Sequence, residues 1–209
     1  MTATNNNSFA ALRRLMRQPA QAERCDFCGA ELAEGHQHLI EPEPRELICV
    51  CDGCAVLFDS EGETKYRRVP RRGRSLPDFR LTDLQWESLM IPIGLAFIFK
   101  DSAGKLVALY PSPAGPTESS LDVAAWEELE LENHVLREMR PCVEALLVNR
   151  VGVAREYFIA PIDECFKLVG LVRTNWRGLS GGAEMWTLIE QFFAGLKMRS
   201  GACAGASNA

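Results

Sequence analysis

Histidine is scarce in this chain: three occur in 209 residues, and none lies beyond His134. That scarcity removes a serine hydrolase built on "GLSGG" (Gly178, Ser180, Gly182). A G-x-S-x-G elbow needs a strand before it, a helix after it and a histidine later in the chain. Ser180 is read instead as the cap of the final helix, with the glycines easing the turn. Long apolar runs are also missing. The longest, Leu89 to Phe99, is interrupted by Pro92 and Gly94 and falls short of the ~18–20 residues a membrane span needs. The opening "MTATNNNSFAALRRLMRQ" has no apolar segment before a small-residue cleavage site, so secretion is not expected and the cytoplasm is. There is no glycine-rich phosphate loop and no dinucleotide fingerprint. Nor is there an excess of base: the net charge is −5, so the molecule as a whole is not built to coat nucleic acid.

Other chemistry is equally sparse. Cys142, Cys165 and Cys203 lack basic neighbours that would lower their pKa values, so none is assigned as a nucleophile. The acids of "EELELE" follow a helix surface and read as a solvated face. His134, beside Asn133 at a helix end, reads as exposed or capping. No catalytic residue is assigned, and the protein is expected not to be an enzyme.

Cysteine is what the chain does have. Five of its eight cysteines crowd into residues 25–54. In a chain not expected to be secreted, C-x-x-C spacing points to metal rather than to disulfides. Two such pairs stand out, "CDFC" (Cys25, Cys28) and "CDGC" (Cys51, Cys54). Each is a tight turn that sends two thiolates to one side, and Gly29 permits the positive φ such a turn needs. Between the pairs, "HQHLIEPEPRELICV" reads as strand, turn and strand, which returns the second pair to the first. After Cys54, "AVLFD" reads as a short helix ending at "SEG". Knuckle, hairpin and helix in that order resemble a treble-clef or zinc-ribbon module.

Four thiolates on a divalent ion make the closed tetrahedral arrangement of a structural site. In a module with so little core the ion would supply folding energy on the order of 10 kcal/mol. Zinc is the expected metal. Iron is the alternative, because two C-x-x-C turns also make a rubredoxin-type electron-transfer site. Against iron, Ala55 stands where a second glycine is usual, and only Phe27 and Phe58 supply aromatic cover. Cys49, two positions before Cys51 on a strand, should face the same way and is read as a buried or outer-sphere neighbour. His36 and His38 share a strand face. They are read as hairpin surface, with replacement of one cysteine ligand by a histidine as the alternative.

The organisation predicted along the chain follows from these patterns. Residues 1–22 form a tail with a short amphipathic helix, capped by Ser8, with Phe9, Leu12, Leu15 and Met16 on one face. Residues 23–62 are the four-cysteine module and 63–80 a basic linker. Within that linker, "KYRRVPRRGR" carries six bases and no acid, so the −5 overall leaves −11 elsewhere. It is read as a solvated linker that meets an acidic face of its own protein or of a partner, with a nucleic-acid arm as the lesser reading. Residues 81–199 form a larger α+β domain with a mixed or mainly antiparallel sheet, and 200–209 a disordered tail.

In the larger domain Thr82 and Gln85 form a capping box, with Leu81 and Trp86 as its hydrophobic staple. "IGLAFIFK" is a central strand covered on both sides, "DSAGK" a turn and "LVALYP" a second strand. "PSPAGP" is a loop. "SSLDVAAWEELELEN" is a helix capped by Ser119 or Ser120. "VEALLVNR" and "EYFIAP" form a hairpin around "VGVA". "DECFKLVGLVRTNW" is ambiguous in period and is read as a helix because Cys165, Leu168 or Val169, Val172 and Trp176 recur at helical spacing. "AEMWTLIEQFFAGLK" is a helix with Trp186, Ile189 and Phe193 inward.

Taken together, "RCDFCGAELAEGHQHLI", "ELICVCDGCAVLF", "YRRVP", "IPIGLAFIF", "YPSPAGPTESSLD", "VEALLVNR" and "PIDECFKLVGLVRTNWRGLSGG" resemble an uncharacterised bacterial family over residues ~10–197. Its genes lie beside those of oxygen-tolerant, actinobacterial-type nickel–iron uptake hydrogenases. The resemblance carries the paired cysteines Cys25, Cys28, Cys51 and Cys54, with Cys49 in place, and no catalytic residue. It implies an accessory role in making or serving a hydrogenase, with a hydrogenase subunit or maturation factor as partner.

Overall fold

The structure, a computed structural model, describes residues 23–59, 65–178 and 181–200. The N-terminal helix, Ser180, Cys203 and the "SEG" stop all lie outside the described residues.

Two antiparallel sheets organise the chain. The small one has the order β2-β1-β3, from β1 (Gln37–Glu41), β2 (Glu46–Val50) and β3 (Arg67–Arg68), with α1 (Asp52–Leu57) between the last two. The large one has the order β4-β9-β8-β5-β6-β7. Its strands are β4 (Arg74–Ser75), β5 (Leu95–Lys100), β6 (Leu106–Ser112), β7 (Gly115–Ser119), β8 (Glu144–Asn149) and β9 (Glu156–Pro161), and all its pairings are antiparallel. Four helices complete it: α2 (Asp83–Ser88), α3 (Val123–Glu132), α4 (Ile162–Asn175) and α5 (Ala183–Arg199).

The large sheet is buried on both faces. Leu95, Phe97, Phe99, Leu147, Phe158 and Ala160 join α4 and α5 in one core. The alternate residues Ala96, Ile98, Leu146, Val148, Tyr157 and Ile159 join Trp126 and Leu129 of α3 in another. This is why β5 and β8 are almost continuously apolar: a central strand with helices on each side has no wet face. Ile40 of the small sheet and Val69 also enter the first core, so the cysteine-bearing hairpin rests on the large sheet.

The capping box forms as expected. The Thr82 hydroxyl accepts from the Gln85 N–H, and the Gln85 side chain accepts from the Thr82 N–H. The turns at residues 101–104 and 151–154 and the β8–β9 hairpin also match the sequence.

Four expectations fail. The segment "PSPAGP" is not a loop but the tip of the β6–β7 hairpin, with Pro111 opposite Pro116. Neither proline can donate to the ladder, yet β7 is an edge strand and β5 pairs with β6 only as far as Leu109, so little pairing is lost. Helix α3 is capped by Asp122, whose Oδ1 accepts from the Ala125 N–H at 3.0 Å, while Ser119 ends β7. Trp186 is not inward: it is 38% exposed, and Met185 is the buried residue in register with Ile189, Phe193 and Leu196. The acids of α3 are not uniformly solvated, because half-buried Glu130 accepts from Trp126 Nε1 and pairs with Lys100 Nζ, each at 2.8 Å.

The sequence that resembles a nucleophile elbow follows helix α4 rather than a strand, and Gly182 is the N-cap of α5. The basic stretch joins the two sheets, contributing β3 to one and β4 to the other. Its charges meet the protein's own acids: Lys65 with Glu41 (3.2 Å), Arg71 with Asp52 (2.9 Å) and Arg74 with Glu138 (3.3 Å).

Candidate metal centre

The first cysteine pair sits in a turn closed by Gly29 N–H to the Cys25 carbonyl at 2.8 Å. Gly29 itself has φ +73°, the left-handed conformation that glycine adopts without a Cβ penalty. The second pair straddles the start of α1. Cys51 is the N-cap residue, and its Sγ accepts from the Cys54 N–H at 3.4 Å, taking the place of the usual hydroxyl or carboxylate cap. The hairpin β1–β2 brings the pairs together, and Asp26 locks them. The Asp26 N–H donates to the Cys49 carbonyl at 2.9 Å, and Asp26 Oδ2 accepts from the Cys49 N–H at 2.8 Å.

The result is one cluster. One sulfur from each of Cys25, Cys28, Cys51 and Cys54 lies within 4.8 Å of all the others, and Cys28 Sγ and Cys51 Sγ are 3.7 Å apart. A tetrahedron with metal–sulfur bonds of ~2.3 Å has edges of ~3.8 Å, so the Cys28–Cys51 separation matches such an edge and the four sulfurs together could hold a thiolate-bound ion. Cys25 and Cys54 are buried, whereas Cys28 is exposed. Leu39, Val50 and Ala55 pack behind the sulfurs, and Phe27, Phe58 and Tyr66 form an aromatic trio beside them.

The electrostatics agree with a site waiting for positive charge. Burial raises the Cys25 thiol, but the backbone N–H groups of Cys28, Cys51 and Phe27 outweigh it and bring its pKa down from 9.0 to about 6. At Cys54, burial and then the neighbouring sulfurs of Cys51, Cys25 and Cys28 push the thiol up to about 12. One sulfur can carry a negative charge, and its presence makes further ionisation costly. A divalent cation removes that cost, which is how such a site couples metal binding to proton release.

Cys49 and the histidines are placed differently from the sequence reading. No histidine substitutes for a cysteine in the cluster. Cys49 is not one of the four gathered sulfurs but joins His36 and His38 in another group. Burial raises its thiol, and the charges of Asp26, Glu23 and then Cys25 add to that, so the cluster still reaches it. The strand alternation that was meant to align Cys49 with Cys51 stops at Val50, where β2 ends and the chain turns into α1. Cys142 and Cys165 are buried, and burial raises both thiols, which is the opposite of nucleophilic activation. His134 is exposed at the start of a 3₁₀ segment. Among the described residues no helix is long and apolar enough to cross a membrane.

Neither the curated proteins nor the solved structures contain a match to the chain. A family model does match residues 24–200, which include the whole cysteine cluster and both sheets. The chain therefore belongs to the family of unknown function DUF5947.

Proposed function

We propose that this protein is a zinc-stabilised accessory protein, not itself a catalyst, that docks on a nickel–iron hydrogenase subunit or maturation factor in the cytoplasm. The observation that carries the metal is the gathering of four sulfurs within 4.8 Å of one another, one pair of them at 3.7 Å. All four positions of a tetrahedral ion would then be filled by protein, which suits structure and leaves no place for substrate. In this reading the module is a treble clef whose zinc fastens the first knuckle and the start of α1 to the β1–β2 hairpin. The hydrogenase partner rests on the sequence resemblance, and the free thiols of the described cysteines suit a reducing compartment.

Two measurements test the reading. Protein made without added metal should contain one equivalent of zinc bound by the four cysteines and be colourless. Affinity-tagged protein from hydrogenase-expressing cells should recover a hydrogenase subunit or maturation factor. Recovery of neither, under conditions where the tagged protein is metal-loaded, would refute the accessory role.

One observation favours a second reading, an iron-containing electron carrier serving the same enzyme. The structure adds Tyr66 to Phe27 and Phe58, giving the site the aromatic surround that the sequence alone lacked. Cys28, the exposed ligand, would be the edge through which an electron passes. Visible sulfur-to-iron charge-transfer bands in the oxidised protein would establish that reading in place of zinc. A nucleic-acid role loses support, since four of the six bases in the basic stretch, Lys65, Arg68, Arg71 and Arg74, meet acids of the protein itself.

A further inference from the structure

The hairpin β1–β2 has two faces, and each carries cysteine. Leu39, Ile48 and Val50 point to the four-cysteine cluster. The alternate set, with Ile40 and Leu47, faces the large domain. His38 and Cys49 belong to that second face and are direct cross-strand partners, with His36 two positions before His38.

We propose that His36, His38 and Cys49 form a second metal site, separate from the four-cysteine cluster, for a borderline divalent transition ion of the zinc, cobalt and nickel type. A ring nitrogen of each histidine and the Cys49 sulfur all lie within 4.8 Å of one another, and the two rings are 4.7 Å apart at their centroids. Ligands of a four-coordinate ion stand ~3.3–3.8 Å apart, so binding would draw the three donor atoms together.

The hydrogen bonds around the rings prepare them as ligands. His36 Nδ1 is 3.2 Å from the Ala33 carbonyl, which can only accept, so Nδ1 carries the proton and Nε2 holds a lone pair. That Nε2 is buried with no hydrogen-bond partner among the described residues, on a side chain only 9% exposed. Buried nitrogen acceptors are normally satisfied, and an orphan of this kind marks an absent partner. His38 Nδ1 is 3.0 Å from Asp163 Oδ2 at the start of α4, the carboxylate–histidine arrangement that orients a ligand ring through one nitrogen so that it can bind through the other. Two imidazoles and one thiolate are the donor mixture that borderline ions prefer over magnesium or calcium.

The group opens on a cleft of about 690 Å³ between the hairpin and α4. Three protein ligands leave a coordination position on that side for water or an incoming group, unlike the closed four-sulfur site. Binding would replace the Cys49 S–H bond with a metal–sulfur bond and release the proton to solvent. Asp26, which belongs to the first knuckle, holds the Cys49 backbone on both its N–H and its carbonyl. Filling the four-cysteine site therefore steadies the sulfur of the second.

Cobalt(II) titration of the full chain, already loaded with zinc at the four cysteines, tests this. The expected result is one further equivalent bound, with a sulfur-to-cobalt charge-transfer band. Cys49→Ser should remove that band, and His36→Gln combined with His38→Gln should remove the equivalent. Asp163→Asn should weaken it about 10–100-fold, as loss of an orienting partner does. In each variant the zinc already bound should stay at one equivalent, which separates this site from the first and reports that the module is folded. No further cobalt bound by the parent protein, or a further equivalent that survives Cys49→Ser and the double histidine variant alike, would overturn the proposal. Absence of both zinc and iron from the starting protein would refute the four-cysteine reading, while the loss of bound cobalt in the Cys49 and histidine variants would still decide this one.

Discussion

Asp26 offers the sharpest test of how the metal module is assembled. It is the residue after Cys25, and its side chain and backbone both bind Cys49, clamping the first knuckle to strand β2 without help from an ion. A carboxylate accepting from a backbone N–H contributes roughly 1.5–3 kcal/mol when shielded. Asp26 is exposed, so solvent screens the interaction, and about 1–1.5 kcal/mol is the expected share. If that clamp pre-organises the four sulfurs, its loss appears in metal affinity. Asp26→Ala should then raise the dissociation constant about 5- to 12-fold. Asp26→Asn keeps an oxygen acceptor and loses only the charge, so its loss should be about 2- to 3-fold. Competition against a chromophoric zinc chelator, with far-UV circular dichroism to confirm the fold, reads both numbers. Equal losses in the two variants would show that charge, not the hydrogen bond, matters. No loss in either would show that the ion alone assembles the module.

Three further outcomes follow from the large sheet. Gly94→Ala would place a Cβ 2.6 Å from the Arg150 carbonyl oxygen, against backbone that no rotamer change can move, so about 1–3 kcal/mol of stability should be lost in urea unfolding. Arg150, whose side chain is 4% exposed, donates to the Leu81 carbonyl (2.9 Å) and the Tyr157 hydroxyl (2.8 Å) and pairs with Asp83. Arg150→Met should cost about 2–3 kcal/mol through the acceptors it strands, measured by the same unfolding midpoint. At Glu130 burial raises the carboxyl pKa, but the hydrogen bonds from Lys100 and Trp126 and the Lys100 charge prevail and hold it below 4.5. A lowered folded-state pKa gives stability that is present above pH 4.5 and fades as pH falls through the folded value. Glu130→Gln should therefore be less stable than the parent by about 1 kcal/mol at pH 7, with the gap narrowing at a pH well below 4.5. A gap of the same size at both pH values would refute the assignment.

Much of this architecture is legible in the sequence because it rests on periodicities. The both-faced burial of β5, the Thr82–Gln85 box, the β8–β9 hairpin and helix α4 all follow from spacing that survives in one dimension. The failures occur where a neighbour changes the meaning of a residue. Pro111 and Pro116 deny a strand only if the strand is central, and sheet order is not written locally. Ser119 and Ser120 are good caps, yet β7 takes the first, and Asp122 meets the helix where it begins. Trp186 has a helical spacing to Ile189 and Phe193, but the buried stripe runs one position earlier, through Met185.

The histidine–cysteine group shows the limit most clearly. His36 and His38 lie one strand away from Cys49, and only the register of the hairpin, His38 opposite Cys49, brings them together. A slip of one residue would have sent Cys49 to the other face, among the residues that pack on the four sulfurs. Asp163 comes from a helix more than a hundred residues later, and nothing near His38 in the chain announces it. The four-cysteine cluster needs no such coincidence, since each C-x-x-C turn presents its own pair and the hairpin has only to return. One hairpin can thus carry a cluster visible in the sequence on one face and a ligand group that exists only in three dimensions on the other.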